Sequence, residues 1–251
     1  MEIKINGKLC DAAFGETILD VAKRNEINIP TLCHNEALSG LGSCRMCIVE
    51  ILQNNRSKVV TSCIYPITKE IEIKTNSEKI VKMRKTILRL LSARVPKNEY
   101  ISKLLEEYKV PKETRFKSDD TEHCILCGLC VKACEELGTN ALATVSRGVT
   151  KKISTPYDEP SLDCIGCASC AEVCPTQSIK VRKQNGTKTI WGKEFKLMKC
   201  ENCGDEFATQ KQYEFVQKKL NLPTPDKILC PKCRKKLQSD KLKDIYKEVK
   251  P

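Results

Sequence analysis

Aromatic side chains are scarce. Phe, Trp and Tyr make up 5% of the 251 residues, while 30% are charged. So few large apolar groups cannot fill one large core, and several small modules are expected instead. No apolar run approaches the 18 residues that mark a membrane-spanning helix. The opening MEIKINGKLC has no apolar h-region, which predicts a cytosolic chain. No Gly-rich phosphate loop, flavin or nucleotide fingerprint, or acid–base pair is present, so no catalytic residues are expected on the chain itself.

What is abundant is cysteine, at 17 residues. Their C-x2-C spacings, without an export signal, argue for metal binding over disulfides. The strongest pattern reads twice. CILCGLCVKAC spans Cys124 to Cys134, and CIGCASCAEVC spans Cys164 to Cys174. Each is C-x2-C-x2-C-x3-C, the bacterial spacing for a thiolate-held cubane. Small residues (Gly128, Gly166, Ala168) let each loop wrap closely. The fourth cysteine lies about one helical turn further on, facing away, and ligates the other cluster. One [4Fe–4S] cluster is therefore expected on Cys124, Cys127, Cys130 and Cys174. The second is expected on Cys164, Cys167, Cys170 and Cys134.

Upstream, MEIKINGKLCDAAF reads as a hairpin turning at Asn6-Gly7, and Thr17 caps a helix with Ile18, Val21 and Ala22 on one face. Then follow Cys33-x10-Cys44-x2-Cys47-x15-Cys63, with Gly40 and Gly42 giving the loop its freedom to curl. A [2Fe–2S] centre on Cys33, Cys44, Cys47 and Cys63 is the expected occupant. Cys10 stands outside the pattern and reads as a buried small apolar residue. His34 and His123, the two histidines, each stand beside a ligand and read as surface neighbours.

Residues 77–118 hold neither cysteine nor histidine. Ile80, Met83, Ile87 and Leu88 space as a helix face after a Ser77 cap, and Pro96 breaks it. Ile101, Leu104, Leu105 and Tyr108 form a second face, so two short linking helices are expected. SRGVTKKISTPYDEP, between the cubane runs, reads as a hairpin and loop. Ile179 to Trp191 reads as a closing hairpin about Asn185-Gly186. Near the end, Cys200-x2-Cys203 and Cys230-x2-Cys233 look like two zinc-ribbon knuckles, which predicts a structural zinc; a rubredoxin-like iron or a fourth cluster remains open for these four. Gln212 to Leu220 reads as a short helix, and Asp240 to Lys250 as a charged surface tail.

The formal charge of +12 counts every cysteine as neutral. Each four-thiolate centre carries about −2, so three clusters and a zinc leave roughly +4. That basicity reads as docking surface for an acidic partner and speaks against nucleic acid.

PTLCHNEAL, GSCRMCIVEI and VTSCIYPI, with Arg45 between the central ligands, resemble the N-terminal [2Fe–2S] domain of the complex I large iron–sulfur subunit and of NAD-linked hydrogenase iron–sulfur subunits. Glu135 in place of proline after the first cubane run is similar to the same group. Relatives of that type carry a further cluster, held by one histidine and three cysteines, where this chain has residues 77–118, so that cluster is expected to be absent. The resemblance implies a small electron-transfer subunit of an NAD(P)-linked oxidoreductase, as in soluble electron-bifurcating complexes, within a hetero-oligomer. The flavin and NAD(P) would sit on a partner, with a further redox subunit beyond. A free-standing polyferredoxin is the first rival; a redox-sensing nucleic-acid binder is the second. The fold expected is α+β: a β-grasp [2Fe–2S] domain (1–78), a helical linker (79–118), a bacterial dicluster ferredoxin domain (119–183), and a zinc-ribbon-like module with its tail (184–251).

Overall fold

The computed structural model describes all residues except 54–55, 114, 117–120, 224, 226 and 250–251, and leaves out the side chains of 244, 245 and 247–249. The expected boundary at 118/119 and the tail's Lys250 lie outside the described residues.

Strands β1 (Glu2–Ile5) and β2 (Lys8–Asp11) pair antiparallel about Asn6-Gly7, whose φ values are 51° and 88°. Two successive left-handed residues match the twist of a two-residue hairpin. β3 (Ile48–Gln53), β4 (Arg56–Thr61) and β5 (Glu72–Lys74) complete a mixed sheet in the order β2-β1-β5-β3-β4, with β1 and β5 parallel. Helix α1 (Ile18–Arg24) starts at Thr17, whose hydroxyl accepts from the Asp20 N–H at 3.2 Å. Its buried face packs Ile18, Val21 and Ala22 against Ile3, Ile5, Val49, Ile51 and Ile73. Cys10 is buried in this core, as its strand position predicts.

The linker differs from expectation in scale and role. α2 (Glu78–Arg94) runs 17 residues from a Ser77 cap, so it is not short. α3 (Glu99–Glu107) starts at Asn98, whose Oδ1 accepts from the Ile101 N–H at 3.2 Å. These helices fill a core between two cysteine-bearing regions. Leu88, Val95, Ile101 and Leu105 pack with Leu32, Cys33 and Met46 on one side, and with Ile125, Cys127 and Leu129 on the other. Asn98 reaches further, donating from Nδ2 to the Thr176 carbonyl at 3.2 Å. The helices are thus a shared core and not a spacer.

α4 (Leu129–Leu137) and the short α5 (Ser169–Glu172) carry the cubane runs and contact each other. Between them β6 (Ala143–Val145) and β7 (Lys152–Ser154) pair antiparallel, where a hairpin is expected. β8 (Val181–Gln184) and β9 (Thr187–Ile190) pair next, joined by β10 (Lys193–Lys199) and β11 (Glu206–Thr209) in one four-stranded sheet, β11-β10-β9-β8. The expected boundary at 183/184 falls inside this sheet. Phe195 and Ile190 pack with Cys130, Ala168 and Cys170, so the sheet belongs physically to the second cubane region. α6 (Gln210–Leu220) and α7 (Pro231–Val249) follow, and α6 returns to α4: Lys219 Nζ donates to the Leu137 carbonyl at 2.7 Å. A cation at the carbonyl end of a helix is a favourable placement. Among the described residues, no helix is long and apolar enough to cross a membrane.

Leu88 is fully buried in the core shared by the two regions. Leu88→Ala should cost about 2–5 kcal/mol, read as a lowered thermal-unfolding midpoint. A midpoint unchanged from the wild type would mean the linker core is not continuous.

Candidate metal centres

The first cysteine set converges from two segments. The Cys44 N–H donates to Cys33 Sγ at 3.2 Å, the Met46 N–H to Cys44 Sγ at 3.5 Å, and Cys47 Sγ lies 3.3 Å from Cys63 Sγ. The loop is tight enough to need glycine: a Cβ on Gly40 would stand 2.6 Å from the Cys63 carbonyl oxygen. Arg45, between the central cysteines, holds φ 62°, a left-handed conformation unusual for a residue with a side chain. The thiols share protons in pairs. The hydrogen bond with Cys33 lowers Cys44 to about 6, and that with Cys63 lowers Cys47 to about 7; Cys33 and Cys63 are raised by the same bonds.

The two cubane runs repeat one another in backbone as well as in spacing. The third and fifth residues of each loop are left-handed: Leu126 at 55° and Gly128 at 85°, then Gly166 at 70° and Ala168 at 69°. The last cysteine of each run also has matching surroundings. Cys134 Sγ is 3.0 Å from the Thr139 hydroxyl and accepts from the Ala141 N–H at 3.2 Å. Cys174 Sγ is 3.6 Å from the Thr176 hydroxyl and accepts from the Ser178 N–H at 3.4 Å. Burial raises the Cys174 thiol, but side-chain and backbone hydrogen bonds from Thr176 and Ser178 together outweigh it and leave the group lowered. Cys134 faces the opposite run, lining one apolar cavity with Cys164, Cys167, Cys170, Leu142 and Trp191.

Burial pushes Cys127 and Cys170 up to about 11 and Cys130 up to about 12. It raises Cys124 as well, and the charge of Cys174 adds to the rise at Cys124, Cys127 and Cys130. A thiol so placed becomes a thiolate only beside strong positive charge, which is what a metal centre supplies. Grouped, buried thiols on loops held in left-handed turns fit iron–sulfur clusters by the chemistry of their donor set. The sets also adjoin. Cys33 and Cys127 share one apolar core, and Cys130 and Cys170 the next.

Basic residues from outside the loops brace all three regions, which no cysteine spacing signals. Arg84 of α2 donates from Nε to the Met46 carbonyl at 2.9 Å and from Nη2 to the Ile48 carbonyl at 2.7 Å. Arg94 of α2 donates from Nε to the Cys124 carbonyl at 2.7 Å. Lys188 of β9, its pKa lowered by burial, donates to the Gly166 carbonyl at 3.0 Å. Lys193 of β10 reaches the carbonyls of Ser161, Leu162 and Cys164. Trp191 donates from Nε1 to Cys170 Sγ at 3.5 Å. Arg84 had one readable signal: it stands four residues from both Ile80 and Leu88, inside the apolar stripe of α2. His34 and His123 are both half-buried; His34 Nε2 lies 3.0 Å from Lys23 Nζ.

The last four cysteines also come together. The sulfurs of Cys200, Cys203, Cys230 and Cys233 all lie within 4.8 Å of one another. The Cys230 N–H donates to Cys200 Sγ at 3.2 Å and lowers that thiol to about 6. Gly204 turns at φ 77° and its N–H closes onto the Cys200 carbonyl at 2.8 Å. Pro231 starts α7 between the second pair, where a missing N–H costs nothing. Four thiols in a compact group fit a tetrahedral metal.

These features define an iron–sulfur protein. Residues 1–78 match the family model described as a 2Fe-2S iron-sulfur cluster binding domain, and residues 119–181 match a 4Fe-4S dicluster domain. A second 4Fe-4S dicluster model matches residues 163–205, a span that includes Cys200 and Cys203.

Among known proteins, the chain is 31% identical over 210 residues to the NADP-reducing hydrogenase subunit HndD of Solidesulfovibrio fructosivorans, covering 71% of this chain and 36% of that one. It is 33% identical over 204 residues to the NADPH-Fe(3+) oxidoreductase subunit alpha of Geobacter sulfurreducens, covering 71% and 24%. It is 27% identical over 230 residues to an NADH-quinone oxidoreductase subunit of Rhizobium meliloti, covering 81% and 27%. The chain therefore spans between 24% and 36% of the length of these relatives. A chain in the crystal structure of the NAD+-reducing [NiFe]-hydrogenase in its H2-reduced state superposes with a TM-score of 0.54 at 25% identity, over 61% of this chain and 74% of that one. The resemblance to iron–sulfur subunits of NAD(P)-linked hydrogenases and of NADH-quinone oxidoreductase is plain.

Gly166 combines φ 70° with a Phe195 ring that an added Cβ would meet at 2.7 Å. Gly166→Ala should therefore disturb the cluster expected on that loop, lowering the iron content by about four per chain, measured by metal analysis of anaerobically purified protein. Full iron content would show that the loop and Phe195 can move apart at no cost.

Proposed function

We propose that the chain is an electron-transfer subunit that relays single electrons between a flavin- and NAD(P)-binding partner and a further redox subunit. The complex would be a cytoplasmic NAD(P)-linked oxidoreductase such as a hydrogenase, formate dehydrogenase or transhydrogenase, electron-bifurcating enzymes among them. The observation that carries this reading is the sharing of apolar cores between successive cysteine sets: Cys33 packs in one core with Cys127, and Cys130 packs in the next with Cys170. Clusters bound there would supply one-electron chemistry.

The chain's own residues would do the rest. Cys33, Cys44, Cys47 and Cys63 would hold a [2Fe–2S] cluster. Cys124, Cys127, Cys130 and Cys174 would hold one [4Fe–4S] cluster, and Cys164, Cys167, Cys170 and Cys134 the other. The shared surroundings of Cys134 and Cys174 support this crossed arrangement. Cys200, Cys203, Cys230 and Cys233 would hold a structural zinc that folds the end of the chain against α6 and α7. The named activities of the relatives support the NAD(P) side of the reading.

The test is an anaerobic pull-down of the native chain with partners identified by mass. Recovery with a flavoprotein that reduces NAD(P) is the expected outcome. Recovery alone, as a monomer that still accepts electrons, would favour a free polyferredoxin. Metal analysis should return about ten irons and one zinc per chain; about fourteen irons without zinc would assign the last four cysteines to a cluster. Cys134→Ser should damage the Cys164-side cluster first, seen as loss of one of two cubane signals in electron paramagnetic resonance. Loss of the Cys124-side signal alone would refute crossed ligation.

A further inference from the structure

We infer that Arg84 sets the reduction potential of the centre held by Cys33, Cys44, Cys47 and Cys63, acting as a buried cation that also positions the ligand loop. The inference rests on the reading of those four cysteines as [2Fe–2S] ligands.

Arg84 is 1% exposed. A guanidinium at that depth is costly unless paired, yet among the described residues it makes no ion pair with a carboxylate. Its fork is filled by neutral acceptors instead. Two are the carbonyls of Met46 and Ile48, the residues on either side of Cys47, and the third is Asn76 Oδ1 at 2.8 Å from Nη1. Carbonyls satisfy the donors but leave the charge uncompensated. Burial works against that charge. The two carbonyl contacts on either side of Cys47 place this buried charge against the ligand loop.

The direction follows from electrostatics. Reduction adds one negative charge to the cluster, and a cation fixed nearby in a low-dielectric surrounding favours that reduced form. Arg84 thus raises the potential. The residue comes from α2, beyond residues 1–78 that match the 2Fe-2S domain model, so the domain receives its cation from the neighbouring helix. Lysine cannot copy the fork, since its ammonium is a point charge, but it can restore the charge.

The experiment is an anaerobic redox titration of the full-length holoprotein, followed by the [2Fe–2S] resonance signal, with iron counted on each sample. Arg84→Met should shift the midpoint to more negative values by a tenfold or greater change in the reduction equilibrium, about 59 mV for one electron. Arg84→Lys should recover most of that shift. Asn76→Asp, which keeps the fork filled while adding a counter-charge, should shift the midpoint the same way but less, because Asn76 is exposed. It reads the inference even if Arg84→Met fails to assemble. The cubane midpoints should stay in place in all three. A fully loaded Arg84→Met or Asn76→Asp protein with the wild-type midpoint would overturn the inference and leave Arg84 a packing residue. Wild-type protein without any [2Fe–2S] signal would instead overturn the ligand reading on which it rests.

Discussion

Thiolates dislike burial, and the architecture turns on that. The cysteine loops put half of their cysteines inside small apolar cores, where an unpaired thiolate is strongly disfavoured. Metal charge is one answer, and the backbone is another. Loops wound through left-handed turns aim N–H groups at sulfur, as Met46 does at Cys44, Leu126 at Cys124 and Ser178 at Cys174. The carbonyls of Met46, Ile48, Cys124, Gly166 and Cys164 accept from side chains outside the loops. The arginines and lysines that brace the loops answer to those carbonyls. Arg84, Arg94, Lys188 and Lys193 each donate to carbonyl oxygens in or beside a ligand loop, and none of the four comes from the loops themselves.

This arrangement explains why the modules do not behave as beads on a string. α2 supplies Arg84 to one cysteine set and, ten residues on, Arg94 to the next, so one rigid rod registers two loops. The C-terminal sheet does the same for the third set through Lys188, Lys193 and Trp191, and Thr209 adds a hydroxyl to the Ile165 carbonyl. A chain with 5% aromatic residues lacks the surface to hold four modules by apolar packing alone. Hydrogen bonds from cationic side chains to loop carbonyls, each stronger than a neutral pair, make up the difference.

The cysteine spacings, the Asn6-Gly7 hairpin, and the caps at Thr17 and Ser77 were legible because they are local: each is settled within a few residues by sterics or a single hydrogen bond. What lay beyond reading was non-local. β10 and β11 continue the β8–β9 hairpin into a sheet, and nothing in EFKLMK or EFAT names its strand partner. Lys188 and Lys193 look like surface lysines in a basic chain, although Lys188 is buried. Their targets are carbonyls, which have no sequence signature. Arg84 was the exception. A charge within the Ile80–Leu88 stripe breaks the helical pattern, and a break of that kind marks either a solvent-facing error in phase or a buried cation with a partner to find.

The pairing of two cubane loops carries the same reasoning further. Their backbones agree at both left-handed positions, and Cys134 and Cys174 each find a threonine hydroxyl and a downstream N–H. The bracing does not repeat. The first loop is held by one arginine, partly exposed and tied to Glu122 at 3.5 Å; the second by a buried lysine and by the Trp191 indole on Cys170. An N–H donated directly to sulfur stabilises added negative charge there, whereas an arginine already paired with a carboxylate has part of its field cancelled. Two near-identical loops are thereby given unequal electrostatic surroundings, and the inequality comes from α2 and the C-terminal sheet. The repeat supplies equivalent cysteine loops, and the flanking elements make their surroundings differ.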